Sequence, residues 1–245
     1  MTAKILVINA DDFGLSADMN SAIERLHRAG RVSNATLMVY GPAVEEALSI
    51  VRRNPNLCVG LHLDLCEVLG LYRTGYAQMR ENLARDAELL RKAADEVDRQ
   101  ITAFKGFGLE FSHMDGHRHF HALPEVFPTV VKVAVDHGLR SLRLSKDWIL
   151  PRTPSLFWDE DYLAYARDLL RGLGVVYPDH FVLGWKEYSL TDFRDGLNEL
   201  MVHVGLEDES YRREYELLLS PGFLEGLKDL SLTSYRELTS ERRQT

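Results

Sequence analysis

The stretch SHMDGHRHFHALP, residues 112–124, holds four histidines and an aspartate in thirteen positions. Read as a strand, it places His113, Asp115, His117 and His119 on one face, with His121 next in phase. Similar polar positions recur in Asp11-Asp12-Phe13-Gly14, in VGLHLDL with His62 and Asp64, and in NELMVHVG with Glu199 and His203. One carboxylate and two imidazoles hold a divalent cation and leave positions open for water and substrate, as a catalytic site requires. Such a cation polarises a carbonyl and lowers the pKa of its bound water. A second carboxylate can take that water's proton, and a histidine on the far side can protonate the departing group. The aspartate pair, His62, His117 and His203 supply those four jobs. Arg143 of SLRLS would neutralise or orient the base, grip substrate, or simply pair with Asp115.

Each piece alone has an ordinary explanation. Two aspartates after a strand can cap a helix, and a lone His62 or His203 is more often a hydrogen-bonded core residue. Their combination is the specific signal, because polar groups on several buried strands need partners. Some of the histidine run is then expected to orient a ligand or to meet substrate.

Bringing these residues together requires strands that end at one place. KILVINA (4–10) reads as a buried parallel strand, and residues 16–28 have helical spacing, with Met19, Ile23 and Leu26 on one stripe. NATLMVY (34–40) is a second strand, AVEEALSIVRR (43–53) a helix, and LCVGLHLDL (57–65) a third strand. A long charged helix is predicted from 76 to 104, then strand four, FSHMDGH, a helix near 124–137 and strand five, SLRLS (141–145). YLAYARDLLRGLG reads as helical, HFVLGW (180–185) as strand six and LNELMVHVG (197–205) as strand seven, before a helical or irregular tail over 207–240. Such alternation predicts an α/β fold with a mainly parallel sheet. About seven units favour a single-domain (β/α) barrel-like fold over residues 1–245, distorted or incomplete, with chemistry at the C-terminal ends of its strands. Extended backbone would aim Asp11 and Asp12 in opposite directions, so both serve one site only if the chain bends; Gly14 makes a bend feasible.

Composition narrows the function classes. With 45% hydrophobic residues the chain can bury a sizeable core, and a formal charge of −8 argues against nonspecific nucleic-acid binding or attachment to an anionic membrane. No apolar run is long enough for membrane insertion. The two cysteines, Cys58 and Cys66, are too few for a disulfide scaffold and suit a reducing, cytoplasmic setting.

At these residues the chain resembles the YdjC-like carbohydrate deacetylases, whose best-characterised activity removes N-acetyl groups from chitooligosaccharides. The matching pieces are NADDFGLS (9–16) with Asn20, GRVSNATLMV (30–39), VGLHLDL (59–65), SHMDGHRHFHALPEVFP (112–128), the SLRL arginine and NELMVHVG (198–205), in the family's order. The resemblance implies a barrel-like deacetylase domain binding one divalent metal ion, Mg2+ or Zn2+, through Asp12, His62 and His117. It implies Asp11 as general base and His203 as general acid, with Asp115, His119, His121 and Arg143 orienting ligands or meeting an acetylated amino-sugar substrate. The family commonly has proline after the strand-seven histidine, where this chain has Val204, and the segment between strands three and four is compact. A hopanoid-associated branch carries a similar histidine run, so the phrase GHRHFHALP leaves the acetylated substrate open. A homodimer is compatible with the sequence. Tyr72, Tyr76, Tyr162, Tyr165, Trp148 and Trp158 are candidates for stacking on sugar faces, or for packing.

Three alternatives compete. An amidohydrolase or phosphoesterase usually carries an HxH pair on its first strand, where this chain has two aspartates. An iron oxygenase uses the same two-histidine, one-carboxylate set, more often on an antiparallel barrel. A non-catalytic carbohydrate-binding relative would not need Asp11, Asp12, His62, His117 and His203 together.

Overall fold

The computed structural model describes residues 4–144, 160–183 and 193–241. Its elements are β1 (Lys4–Phe13), α1 (Ala17–Arg28), β2 (Asn34–Leu37), α2 (Val44–Arg53), β3 (Cys58–Leu63), α3 (Leu71–Thr74), α4 (Tyr76–Arg85) and α5 (Ala87–Gly106). There follow β4 (His113–Gly116), α6 (Phe127–Asp136), β5 (Ser141–Leu142), α7 (Glu160–Gly172), β6 (His180–Leu183) and β7 (Gly196–Val202). The tail adds α8 (Glu209–Leu219), α9 (Pro221–Gly226), β8 (Ser231–Thr233) and α10 (Tyr235–Glu241).

The strands run in the order β5-β4-β3-β2-β1-β7-β6, every neighbouring pair parallel, as the alternation of strands and helices predicts. An isolated parallel bridge joins Ser141, in β5, to Val176, in the chain leading into β6. The two ends of the path therefore meet at a seam, and the sheet curls into a distorted barrel. β8 pairs with the first half of β1, through Ile5–Val7, while β2 pairs with its second half from Asn9 onward.

Alternation along the strands separates the two faces. Leu6, Ile8, Ala10, Leu61, Leu63, Leu200 and Val202 belong to the main core shared with the helices. Burial at this level, about 25 cal/mol per Å² of apolar surface, is the main force holding the helices to the sheet. The inward positions form layers instead. Val7, Cys58, Val176, Leu197 and Tyr235 make an apolar floor, and Phe181, Leu183 and Met201 a second small apolar set. A polar layer includes Asn9, Thr36, Asp115, Arg143 and Glu199, each at most 2% exposed.

Several strands are shorter than their sequence patterns. β2 stops at Leu37, β3 at Leu63 and β7 at Val202, so Asp64 and His203 lie just beyond strand ends. The predicted helix over 76–104 is two helices, broken at Asp86, whose carboxylate caps α5 by accepting from Glu88 and Leu89 N–H at 2.9 and 3.2 Å. β8 hides in a tail whose three residues have no apolar alternation to mark them. Residues 145–159, with Ser145, Trp148 and Trp158, and residues 184–192, with Trp185, lie outside the described residues.

Gly60 shows how tightly the interior layers fit. A Cβ there would lie 2.5 Å from the His113 ring and 2.5 Å from the His113 carbonyl oxygen on the neighbouring strand. Gly60→Ala should therefore destabilise the protein by about 1–3 kcal/mol, the usual cost of overpacking. A lowered urea midpoint with an unchanged denaturant slope would show it; an unchanged midpoint would mean that the barrel interior is looser than drawn.

Candidate metal centre

The end of β1 makes the site. The β1–β2 register shifts between Ala10 and Phe13, and Asp12 adopts a left-handed φ of 60°. This flips the second carboxylate so that both aspartates serve the barrel mouth, at a cost of about 1–3 kcal/mol in backbone strain. Gly14 follows with φ 90°, its N–H held by Asn20 Oδ1 at 2.8 Å. The bend therefore lies at Asp12 itself as well as at the predicted Gly14. Helix α1 is capped by Ser16, whose Oγ accepts from Met19 N–H at 3.2 Å, so the aspartate pair is not a helix cap.

Asp12 Oδ1 lies 3.1 Å from His62 Nε2 and 3.0 Å from His117 Nδ1, and Asp12 Oδ2 lies 3.7 Å from His203 Nε2. Donor atoms of Asp12, His62 and His117 all fall within 4.8 Å of one another. Opposite Nε2, His62 Nδ1 donates to Asp115 Oδ1 at 2.6 Å, which fixes the ring and aims Nε2 at Asp12. This donor set, one oxygen and two imidazole nitrogens, fits a divalent cation. A second cluster, Asp11, His62 and Asp115, also has metal-ligand chemistry, but both of its carboxylates are already paired with Arg143.

The histidine run is not a strand through its length. β4 ends at Gly116, and His117–Ala122 form a 3₁₀ turn kinked at Arg118 and His119, with φ of 53° and 58°. The shared parity predicted for His113 to His119 therefore fails after Asp115, and the run's members separate. His113 sits in the floor, stacked on Tyr235 at 4.8 Å between centroids. His117 reaches the Asp12 centre, and His119 lines its cleft, edge-on to Phe181 at 5.7 Å. His121 is fully buried, and its Nε2–H donates to the Arg143 carbonyl at 2.9 Å, which supports the arginine's backbone. Its pKa falls to about 3, because burial disfavours the imidazolium.

Arg143 is 1% exposed and binds three carboxylates. Nη1 and Nη2 grip Asp11 at 2.7 Å each, Nη2 also meets Asp115 at 2.7 Å, and Nε donates to Glu199 at 2.7 Å. Asp115, itself buried, thus joins Arg143 to His62. Asn9 Nδ2 donates to Asp11 at 2.8 Å, and Thr36 Oγ1 to Asp115 at 3.0 Å. Burial would raise the Asp11 carboxyl, but the charge and hydrogen bonds of Arg143 outweigh it and hold Asp11 well below the usual carboxylate range. Burial likewise opposes the shift at Asp12, where hydrogen bonds from His117 and His62 prevail and lower it. Desolvation opposes charge on His62, yet Asp115 and Asp12 raise its pKa well above the ordinary value.

Asp11, Asp12, His62, His117, Tyr211 and His203 share a cleft of about 300 Å³. Through His62 it adjoins a larger cavity of about 780 Å³, walled by Tyr40, Pro42, Leu89, Lys92 and Gln100 among others. The segment between β3 and β4, compact as it is, supplies α3–α5 and one wall of that cavity. Of the tyrosines considered for stacking, Tyr162 is a packing residue, its OH bonded to the Ala122 carbonyl at 2.8 Å, while Tyr72 and Tyr165 are exposed on the surface.

Sequence patterns had no signal for Tyr211 and Glu214, which α8 brings beneath His203. The Tyr211 ring stacks on His203 at 6.3 Å, and Glu214 Oε2 accepts the His203 backbone N–H at 2.8 Å. Val204, buried in the main core, follows without moving His203 off the cleft. Asn9 and Thr36 had a visible clue in their inward parity.

Fold and site together define an α/β-barrel protein with an Asp-His-His cluster of metal-binding type at the strand ends. A family profile described as YdjC-like protein matches residues 5–229, and the chain belongs to that family. A carbohydrate deacetylase of Vibrio parahaemolyticus serotype O3:K6 is 33% identical over 258 aligned residues, covering 96% of each chain. A chitooligosaccharide deacetylase of Enterobacter sp. (strain 638) is 37% identical over 166 residues, 62% of this chain and 66% of its own length. Among solved structures, a protein of Enterococcus faecalis V583 provisionally described as a cellobiose-phosphate cleavage protein superposes with a TM-score of 0.74. It is 24% identical, covering 97% of this chain and all of its own, and shares the fold.

Glu214 yields a stability test. Burial pushes its carboxyl up to about 8, against 4.5 for an ordinary glutamate, with the His203 N–H only partly offsetting this. The folded protein then holds a proton that the unfolded chain has lost, so stability falls as pH rises from about 4.5 to 8. The slope from this one group reaches at most about 1.4 kcal/mol per pH unit. Glu214→Gln should flatten urea-denaturation stability between pH 5 and pH 8; a variant retaining the wild-type slope would assign the dependence elsewhere.

Proposed function

We propose that the chain is a metal-dependent carbohydrate deacetylase that removes an N-acetyl group from an acetylated amino sugar or chitooligosaccharide. The observation that carries the reading is the convergence of Asp12, His62 and His117, flanked by Asp11 and His203 in one cleft. The names of the Vibrio and Enterobacter relatives support the reaction class.

In this reading Asp12, His62 and His117 hold one divalent cation, Mg2+ or Zn2+. Bound there, the ion would polarise the acetyl carbonyl and lower the pKa of a water. Asp11 is the general base. Arg143 keeps its carboxylate ionised while leaving a lone pair on each oxygen uncommitted to the guanidinium. His203 is the general acid for the leaving amine. Its backbone is held by the Glu214 carboxyl, and its ring is stacked by Tyr211. His119 and the left-handed Arg118 shape the cleft wall that the substrate meets. The cleft, at about 300 Å³, is at the small end of ligand sites. The adjoining cavity of about 780 Å³ offers room for further sugars of a chain.

Acetate release from N,N′-diacetylchitobiose and longer chitooligosaccharides, using metal-stripped protein with divalent ions added back, tests the reading. Activity should return with one or more ions. His117→Ala should lose both metal binding and activity, with the fold retained. Asp11→Asn should keep the ion and lose about 10²–10⁴-fold in kcat, the range for a general base. Tight metal binding without acetate release from any acetylated sugar would instead indicate a non-catalytic relative. Wild-type turnover in either variant would overturn the assigned roles.

A further inference from the structure

The tail beyond residue 229 lies outside the segment matched by the family profile, yet it reaches the centre of the barrel. β8 lies along the start of β1, and the next helix opens with Tyr235, whose N–H is held by Asn34 Oδ1 at 3.0 Å. The ring enters through the floor, 2% exposed, and stacks on His113. Its OH donates to Glu199 Oε2 at 2.6 Å, while Glu199 Oε1 accepts from Arg143 Nε at 2.7 Å. The far edge of the same guanidinium carries both oxygens of Asp11. An unbroken chain of hydrogen bonds thus runs from the C-terminal helix to the proposed base.

We propose that Tyr235 is a positioning residue of the reaction, acting through Glu199 and Arg143 to hold Asp11 in its productive place. The inference rests on the deacetylase reading for its rate effects, though not for its geometry. Glu199 has two oxygens and, in this buried layer, a distinct donor on each. Without the phenol, Oε2 has lost that donor, and the carboxylate can turn to offer both oxygens to Arg143. A guanidinium is a rigid planar fork, so a rotation at its Nε edge moves the Nη edge that grips Asp11. Burial and the adjacent Glu199 charge push the phenol well above its ordinary pKa, so it remains a donor. Nothing of Tyr235 reaches the cleft, so substrate affinity is left alone.

The test is Tyr235→Phe, which removes one oxygen and keeps the ring on His113. With N,N′-diacetylchitobiose and the ion that supports wild-type turnover, kcat should fall about tenfold, within the roughly 10²-fold that small misplacements cause. KM should stay within about twofold. In a Glu199→Gln background, Tyr235→Phe should have a much smaller effect, because the two act in series. An activity-independent readout is the Arg143 Nε–H resonance in a ¹H–¹⁵N spectrum, assigned by its loss in Arg143→Lys. It should shift in Tyr235→Phe. If Tyr235→Phe folds poorly, Glu199→Gln alone supplies the same kcat and resonance readings. A folded Tyr235→Phe protein with wild-type kcat, or with independent effects of the two substitutions, overturns the proposal. Should the wild type release no acetate, the deacetylase reading fails by itself; an unmoved Arg143 resonance would then overturn the positioning chain as well.

Discussion

The structure turns on one guanidinium. Arg143 lies in a buried layer of the barrel with Asp11, Asp115 and Glu199 around it, every contact at 2.7 Å. Such a cluster is not a source of stability in itself, because each ion has been stripped of water. Removing the arginine would leave three carboxylates facing one another, and losing one partner of a buried pair costs about 3–5 kcal/mol. Each carboxylate passes the constraint on. Asp11 is held at the cleft, Asp115 fixes the tautomer and direction of His62, and Glu199 ties the layer to the floor through Tyr235. Orientation of the Asp12 centre is therefore set by a residue that does not touch it.

The charge balance of this layer bears on the metal reading. Four carboxylates, Asp11, Asp12, Asp115 and Glu199, lie around one guanidinium, Arg143, and the His62 imidazole. Burial raises the Asp115 and Glu199 carboxyls despite the arginine, and neighbouring carboxylates add to this; His62 is raised because Asp115 and Asp12 favour its charged form. A surplus of negative charge in a buried interior is costly unless it is neutralised. Asp12, the one carboxylate of the four that Arg143 does not hold, is where a divalent cation would relieve it. The backbone is consistent with that use. The non-glycine residues with left-handed φ among the described residues are Asp12, Arg118 and His119, all at the cleft. Strain concentrated at one place, against a well-packed remainder, is what a functional geometry costs.

How much of this was legible in the sequence follows from what period-2 alternation can carry. The inward parity of Asn9, Asp11, His62, Asp115 and Glu199 is a strand property, and the strands kept it; Arg143 continues the phase one residue past the end of β5. The barrel also followed from the alternation of strands and helices, since parallel neighbours need crossovers. Alternation fails where strands end. His117 and His119 share a parity in the sequence but sit on a kinked turn, so His121 is buried away from the cleft that His117 serves. Asp11 and Asp12 have opposite parity and nevertheless face one site, because one residue takes a left-handed conformation that the letters do not announce. Tyr211, Glu214 and Tyr235 arrive from helices through long-range packing, for which no local period exists.

Proximity of two cavities of unequal size bears on how recognition and chemistry are divided. The small cleft is crowded with charged and titratable groups held by buried bonds, so a change in its lining disturbs several partners at once. The larger cavity is walled by α5 and by the loop after β2, with Tyr40, Lys92 and Arg99 on its exposed surface. Those side chains have no bond to the Arg143 layer, so they can vary without moving Asp11 or Asp12. His62 is the wall between the two, and its Nδ1 bond to Asp115 keeps that wall fixed. In the deacetylase reading, the outer cavity offers contacts to further sugars while the inner cleft holds the reacting groups. The constraint comes from Arg143: a side chain tied to three carboxylates permits little drift in anything attached to them.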